Sequence, residues 1–184
     1  MKGDRLEMCF SGSGGQGVIL ASVIFAEAAV LEGLRTVQSQ AYGPEARGGS
    51  SRAETIISKN DIWFSKIGSP DFLLALTQTA LDKFSGTVKA GGTILADASL
   101  DVSKCPSSAR VVTLPVIGTA ASKVGKAVTT NIVAVGAING LLGLFPEETM
   151  EKAVLLRVPK GTETLNAAAL REGAKLAGEP EAAE

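Results

Sequence analysis

The sequence contains no histidine. That absence excludes Ser-His-Asp and Cys-His catalysis within this chain and removes the most versatile metal-ligating side chain. Cysteine is nearly absent too: Cys9 and Cys105 stand far apart and no Cys-x-x-Cys occurs. The chain therefore cannot by itself hold a four-cysteine zinc or iron–sulfur centre. Two isolated cysteines and no secretory signal pattern lead us to expect a cytoplasmic protein. Charge of one sign is also lacking. Eighteen basic residues oppose nineteen acidic ones, for a net charge of −1. Such a balance leaves no electrostatic footprint for nucleic acid or for an anionic membrane surface.

The longest uncharged run is the twenty residues AVTTNIVAVGAINGLLGLFP between Lys126 and Glu147. A membrane span needs about 20 predominantly apolar residues. This run carries Thr129, Thr130, Asn131, Asn139, three glycines and Pro146, and reads as a buried helix of a folded domain.

What is present suits a self-sufficient core. The 184 residues are 45% hydrophobic and 20% charged, enough for one domain without metal or disulfide staples. We expect that domain over residues 1–178 and a disordered tail over 179–184. Strands are expected at 5–11, 36–42, 51–58, 61–64, 93–97 and 110–115. Helices are expected at 16–32, from Pro70 to Phe84, at 131–144, 146–156 and from 162 or 163 to about 178, with a short helix or loop at 118–126. Strands alternating with helices argue for an α/β protein: a single Rossmann-like domain with a mostly parallel twisted sheet flanked by helices.

Between the first strand and the first helix lies Gly12-Ser13-Gly14-Gly15-Gln16-Gly17. It fits G-x-G-x-x-G in the strand–turn–helix setting that this fingerprint requires. Glycines let the backbone turn sharply and approach a ligand, and the helix N-terminus offers free N–H groups to a phosphate. Two features oppose a dinucleotide. The acidic residue expected about 20 residues on is missing, because that strand ends Gln38-Ser39-Gln40. The first helix is also so apolar that close βα packing alone could demand the glycines. A close-packed turn and a phosphate site both stand as readings.

The segment Gly43-Pro44-Glu45-Ala46-Arg47-Gly48-Gly49 is a loop with a defined shape, since Pro44 fixes φ and the paired glycines admit positive φ. Its Arg47 can grip a carboxylate or phosphate through two parallel N–H bonds. The plainer alternative is a surface pair with Glu45 or Glu54, worth little. Elsewhere, Gly136, Ala137, Gly140 and Gly143 recur at helical spacing. They permit a close neighbour, either another helix of the domain or another subunit. Lys160 reads as a solvated cation or an anion contact. Asp71, Asp97 and Asp101 are scattered, and nothing in their spacing makes an acid–base pair.

Five segments then appear in order along nearly the whole chain: GSGGQG, YGPEARGGSSRAETIIS, PDFLLALTQTALDKF, TNIVAVGAINGLLGLFP and RVPKGTETLNAAALREG. Together they resemble the γ subunit (γ domain) of the 2-oxoacid:ferredoxin oxidoreductases, and the ending is most similar to the 2-oxoglutarate or general 2-oxoacid branch. The resemblance implies a complex that decarboxylates a 2-oxoacid on thiamine diphosphate. It passes electrons through [4Fe–4S] clusters to ferredoxin and forms an acyl-CoA. It implies that partner subunits carry the thiamine diphosphate and the clusters, that this chain holds no cofactor or metal alone and has no catalytic residue, and that it makes subunit contacts. Coenzyme A is the ligand to consider here, with Gly12, Ser13, Gly14, Gly15, Gln16, Gly17 and Arg47 as its candidate contacts. Tyr42, Gly43, Pro44, Glu45, Arg47, Gly48 and Gly49 are the candidate interface. The other readings are a free-standing NAD(P)-binding protein and a small ligand-binding module.

Overall fold

The computed structural model describes residues 3–42 and 50–178. The GPEARGG loop and the 179–184 tail lie outside the described residues.

Among the described residues six strands form one sheet in the order β2-β3-β1-β4-β5-β6. They are β1 (Arg5–Ser13), β2 (Arg35–Tyr42), β3 (Ser50–Ser58), β4 (Phe72–Ala75), β5 (Thr93–Asp97) and β6 (Arg110–Leu114). β1, β4, β5 and β6 pair in parallel, whereas β3 runs antiparallel between β2 and β1. Five strands thus point one way, and the sheet is mixed but mostly parallel. Six α-helices among the described residues flank it: α1 (Val18–Leu31), α2 (Gln78–Phe84), α3 (Val116–Ser122), α4 (Thr130–Leu142), α5 (Glu147–Leu155) and α6 (Glu163–Gly178).

Alternation along each strand divides the core into two. Met8, Phe10, Ala53, Ile57, Phe72 and Leu74 face the layer of α1, α3, α4, α5 and α6. Cys9, Leu73, Ala75, Ile94 and Ala96 face α2 with Ala80, Leu81 and Phe84. The uncharged run is α4, buried from Thr130 to Asn139; among the described residues no helix is long and apolar enough to cross a membrane.

Two expectations fail. Residues 70–84 do not form one helix: Phe72-Leu73-Leu74-Ala75 is a strand, and the helix starts only at Gln78, where the Thr77 hydroxyl accepts the Ala80 N–H. The four residues are buried on both faces between β1 and β5, so their pattern is a continuous apolar run rather than an alternation. Residues 61–64 form no strand and pair with none of the described strands, although Arg35 of the edge strand β2 holds Asp61 beside it.

The small residues of α4 serve the domain itself. Side chains on Gly136 and Gly140 would overlap α6, at the Leu170 carbonyl and at Ala177, and one on Gly173 would overlap the Val133 carbonyl. This corrects the subunit-interface alternative for Gly136 and Gly140. Gly143, with φ 57°, ends α4.

Candidate functional site

The chain leaves β1 at its carboxyl end and crosses through α1 to β2 on one side, while β4 lies on the other. Such a divergence opens a crevice outside the carboxyl ends of the strands. The glycine turn lies there. Gly15 has φ 92° and Gly17 φ 70°, conformations that glycine adopts without strain. Gly12 is needed for another reason: a Cβ on it would stand 2.5 Å from Gln16 Oε1 and 3.1 Å from Val18 Cγ1. Gly14 faces open space and has no positive φ.

Gln16 staples the turn. Its Oε1 accepts the Ser13 N–H at 2.7 Å, and its Nε2 donates to the Leu76 carbonyl at 3.3 Å, fixing the turn to the end of β4. One of the turn's own donors is thereby used up. The first turn of α1 keeps its donors: no side chain caps it, and neither α1 nor α4 carries an acidic residue in its first turn. No acidic side chain within those first turns neutralises the partial positive charge of these helix starts.

Asn131 comes to the same place from α4, a residue that the sequence reading had left inside a bland helix. It is only 5% exposed. Its amide lies over Gly17, so near that a Cβ there would be 2.6 Å from Nδ2. Among the described residues its side chain makes no hydrogen bond. The available signal was a polar residue at the start of an otherwise uncharged helix.

The loop that carries Arg47 leaves from and returns to this edge. β2 ends at Tyr42, paired with Ser51, and β3 begins at Ser50, paired with Ser13. The two sequence motifs therefore meet at one edge through strand pairing. Glu54, one alternative partner for Arg47, is paired with Arg52 on the face toward α2; Arg47 itself lies outside the described residues. The polar run in β2 has its own explanation: Gln38 donates to Ser22 Oγ in α1 and Ser39 to Glu54.

Among the described residues nothing near this edge is set up to react. Asp97, at the carboxyl end of β5, is 3% exposed, but its carboxylate accepts from the Ser99 N–H and hydroxyl and the Ile117 N–H. It braces α3 and is no free base. Asp71 accepts the Glu7 N–H and pairs with Lys89 at 2.9 Å, at the opposite end of the sheet. Burial pushes the Cys9 thiol from its ordinary 9.0 up to about 11, against the opposing influence of Arg52, so it is no nucleophile at neutral pH. Among the described residues no group of three or more His, Cys, Asp or Glu could hold a metal ion. The edge offers N–H donors, an amide and positive partial charge, which suits binding of an anionic group.

The profile of one family, pyruvate ferredoxin/flavodoxin oxidoreductase, matches residues 7–176. The 2-oxoglutarate synthase subunit KorC of Methanocaldococcus jannaschii is 42% identical over 178 residues, 95% of each chain. Among solved structures, the keto/oxoacid ferredoxin oxidoreductase gamma subunit from Geobacter sulfurreducens is 45% identical. It superposes with a TM-score of 0.86 over 97% of this chain and 99% of that one. The 2-oxoglutarate:ferredoxin oxidoreductase from Magnetococcus marinus, solved with 2-oxoglutarate, coenzyme A and succinyl-CoA bound, shares the fold. Its TM-score is 0.87 at 20% identity, over all of this chain and 32% of that one.

Proposed function

Because the chain belongs to the pyruvate ferredoxin/flavodoxin oxidoreductase family, we propose that it is the γ subunit of a cytoplasmic 2-oxoacid:ferredoxin oxidoreductase whose work is to bind rather than to react. The complex converts a 2-oxoacid, coenzyme A and oxidised ferredoxin into an acyl-CoA, carbon dioxide and reduced ferredoxin. The 42% identity to a 2-oxoglutarate synthase subunit makes 2-oxoglutarate the first substrate to try. Thiamine diphosphate and the [4Fe–4S] clusters belong to partner subunits, a division consistent with a chain that has no histidine and only two separated cysteines.

The observation that carries the binding role is the carboxyl edge of the sheet. There the glycine turn, the uncapped start of α1, the Asn131 amide and the ends of the Arg47 loop converge, with no reactive group among the described residues. Coenzyme A is multiply anionic, so its phosphates suit these donors. A dinucleotide suits them less, since β2 supplies no acidic residue for a ribose.

Reconstitution tests the reading. The chain alone should show no 2-oxoacid-dependent reduction of viologen or ferredoxin. Added to partner subunits purified without it, it should restore turnover that depends on coenzyme A. Turnover by the isolated chain, or a full rate without it, would refute the proposal.

A further inference from the structure

The only tryptophan in the sequence is the most exposed of the large apolar side chains described. Trp63 is 84% exposed and its neighbour Phe64 is 80% exposed. Both belong to the strap between β3 and β4, which has no regular structure from Asp61 to Ile67. Between Asn60 and Ser69 it makes no backbone–backbone hydrogen bond among the described residues. Yet the strap is tethered. Lys59 pairs with Asp4 at 3.2 Å, Arg35 of β2 with Asp61 at 3.3 Å, and Ile67 is buried. The aromatic pair is held outward between two anchors, and nothing in the domain's own packing uses it.

We propose that Trp63 and Phe64 are the anchor by which this chain docks onto a partner subunit of its complex, inserting into an uncharged apolar recess on that subunit. The inference rests on the subunit reading and names a surface for it. Exposed aromatics are the side chains that most often dominate binding energy once covered. The charge around them selects the occupant. Lys59 and Arg35 are paired with Asp4 and Asp61, and Lys66 is the one cation of the strap without an ion pair among the described residues, too little positive charge for a nucleic acid or an anionic lipid surface. Area selects it further. The two rings supply roughly 300 Å², whereas a stable interface needs about 800 Å² from each partner. The pair is therefore the centre of a larger contact. The adjoining surface is β2, an edge strand with a free ladder side, to which Asp61 ties the strap. In the Magnetococcus enzyme the same fold makes up 32% of a longer chain.

The test uses the whole complex. The chain is produced with 5-hydroxytryptophan in place of Trp63 and assembled with unlabelled partners, so that the probe is excited selectively. Acrylamide quenching should be strong in the free chain and fall several-fold on assembly. Trp63→Ala/Phe64→Ala should keep the wild-type circular dichroism, because both side chains face water, and should weaken association at least about tenfold. Arg171→Ala, on α6 in the layer across the sheet, is the control and should assemble normally. Assembly with unchanged quenching would overturn the docking surface while leaving the subunit reading intact. Failure of the wild-type chain to assemble at all would overturn both. Self-association of the free chain that the double variant abolishes would make a second copy the occupant and overturn the proposal.

Discussion

The α-carbon of Gly173 in α6 rests against the carbonyl oxygen of Val133 in α4, with no room between them for a methyl group. The reciprocal contact is Gly136 against Leu170. Two helices cross backbone to backbone here. Gly173→Ala should lower stability by about 3 kcal/mol, the upper range for overpacking, read as a large fall in Tm. Gly14→Ala is the counterpart in the glycine turn. With open space and no positive φ at Gly14, its effect should stay within about 0.5 kcal/mol.

Asn131 offers a test in which fold and ligand respond oppositely. Asn131→Asp places a carboxylate at the uncapped start of α1, worth about 0.3–1 kcal/mol of stabilisation. The same charge repels an anionic ligand. We expect Tm unchanged or slightly raised, and the KM for coenzyme A raised about tenfold in the assembled enzyme. An unchanged KM would remove Asn131 from the binding edge.

Cys9 makes stability depend on pH in the alkaline range. Its folded pKa, about 11, lies above the ordinary 9.0 because burial disfavours the thiolate. Above pH 9 the unfolded chain releases this proton and the folded chain retains it, so stability falls as pH rises. Its contribution is complete below pH 9 and lost by pH 11, about 2–3 kcal/mol in all. Urea titrations of Cys9→Ala should show a flatter decline over that window. In the native protein at pH 8, a thiol reagent should modify Cys105, which is partly exposed, far faster than Cys9.

Arg47→Ala separates two roles for the loop. Loss of a guanidinium from a buried pairing costs about 2–5 kcal/mol, roughly thirtyfold or more in affinity. A raised KM for coenzyme A with normal assembly assigns Arg47 to the ligand. Reduced assembly with normal KM assigns it to the subunit contact. If neither changes, Arg47 is a solvated charge.

The architecture was legible where the pattern had one meaning. Thr93–Asp97 and the uncharged helix came through, as did the strand–turn–helix around Gly12 to Gly17, because length, flanking turns and apolar content agreed. Phe72–Ala75 misled because four apolar residues between Pro70 and a helix-forming stretch extend a helix on paper. Only pairing with β1 and β5 makes them a strand. Gly14 looked as necessary as its neighbours, although the turn requires Gly12, Gly15 and Gly17. Asn131 was invisible as a site residue because its meaning depends on Gly17, more than a hundred positions earlier, and helix packing alone joins them.

The placement of β3 also governs the order in which the chain can assemble. β2 and β3 are a local hairpin, but β1, the most enclosed strand, has no local partner. Met8 pairs with Thr55 on one side and Phe72, 64 residues on, on the other. At roughly 5–20 residues per second, β1 stays unpaired on both edges for several seconds of synthesis. Its Met8-Cys9-Phe10 run is an aggregation hazard during that time. The steps that protect it are long-range closures, which are slow. Expression yield should therefore depend on chaperone supply and growth temperature more than the stability of the finished fold would suggest.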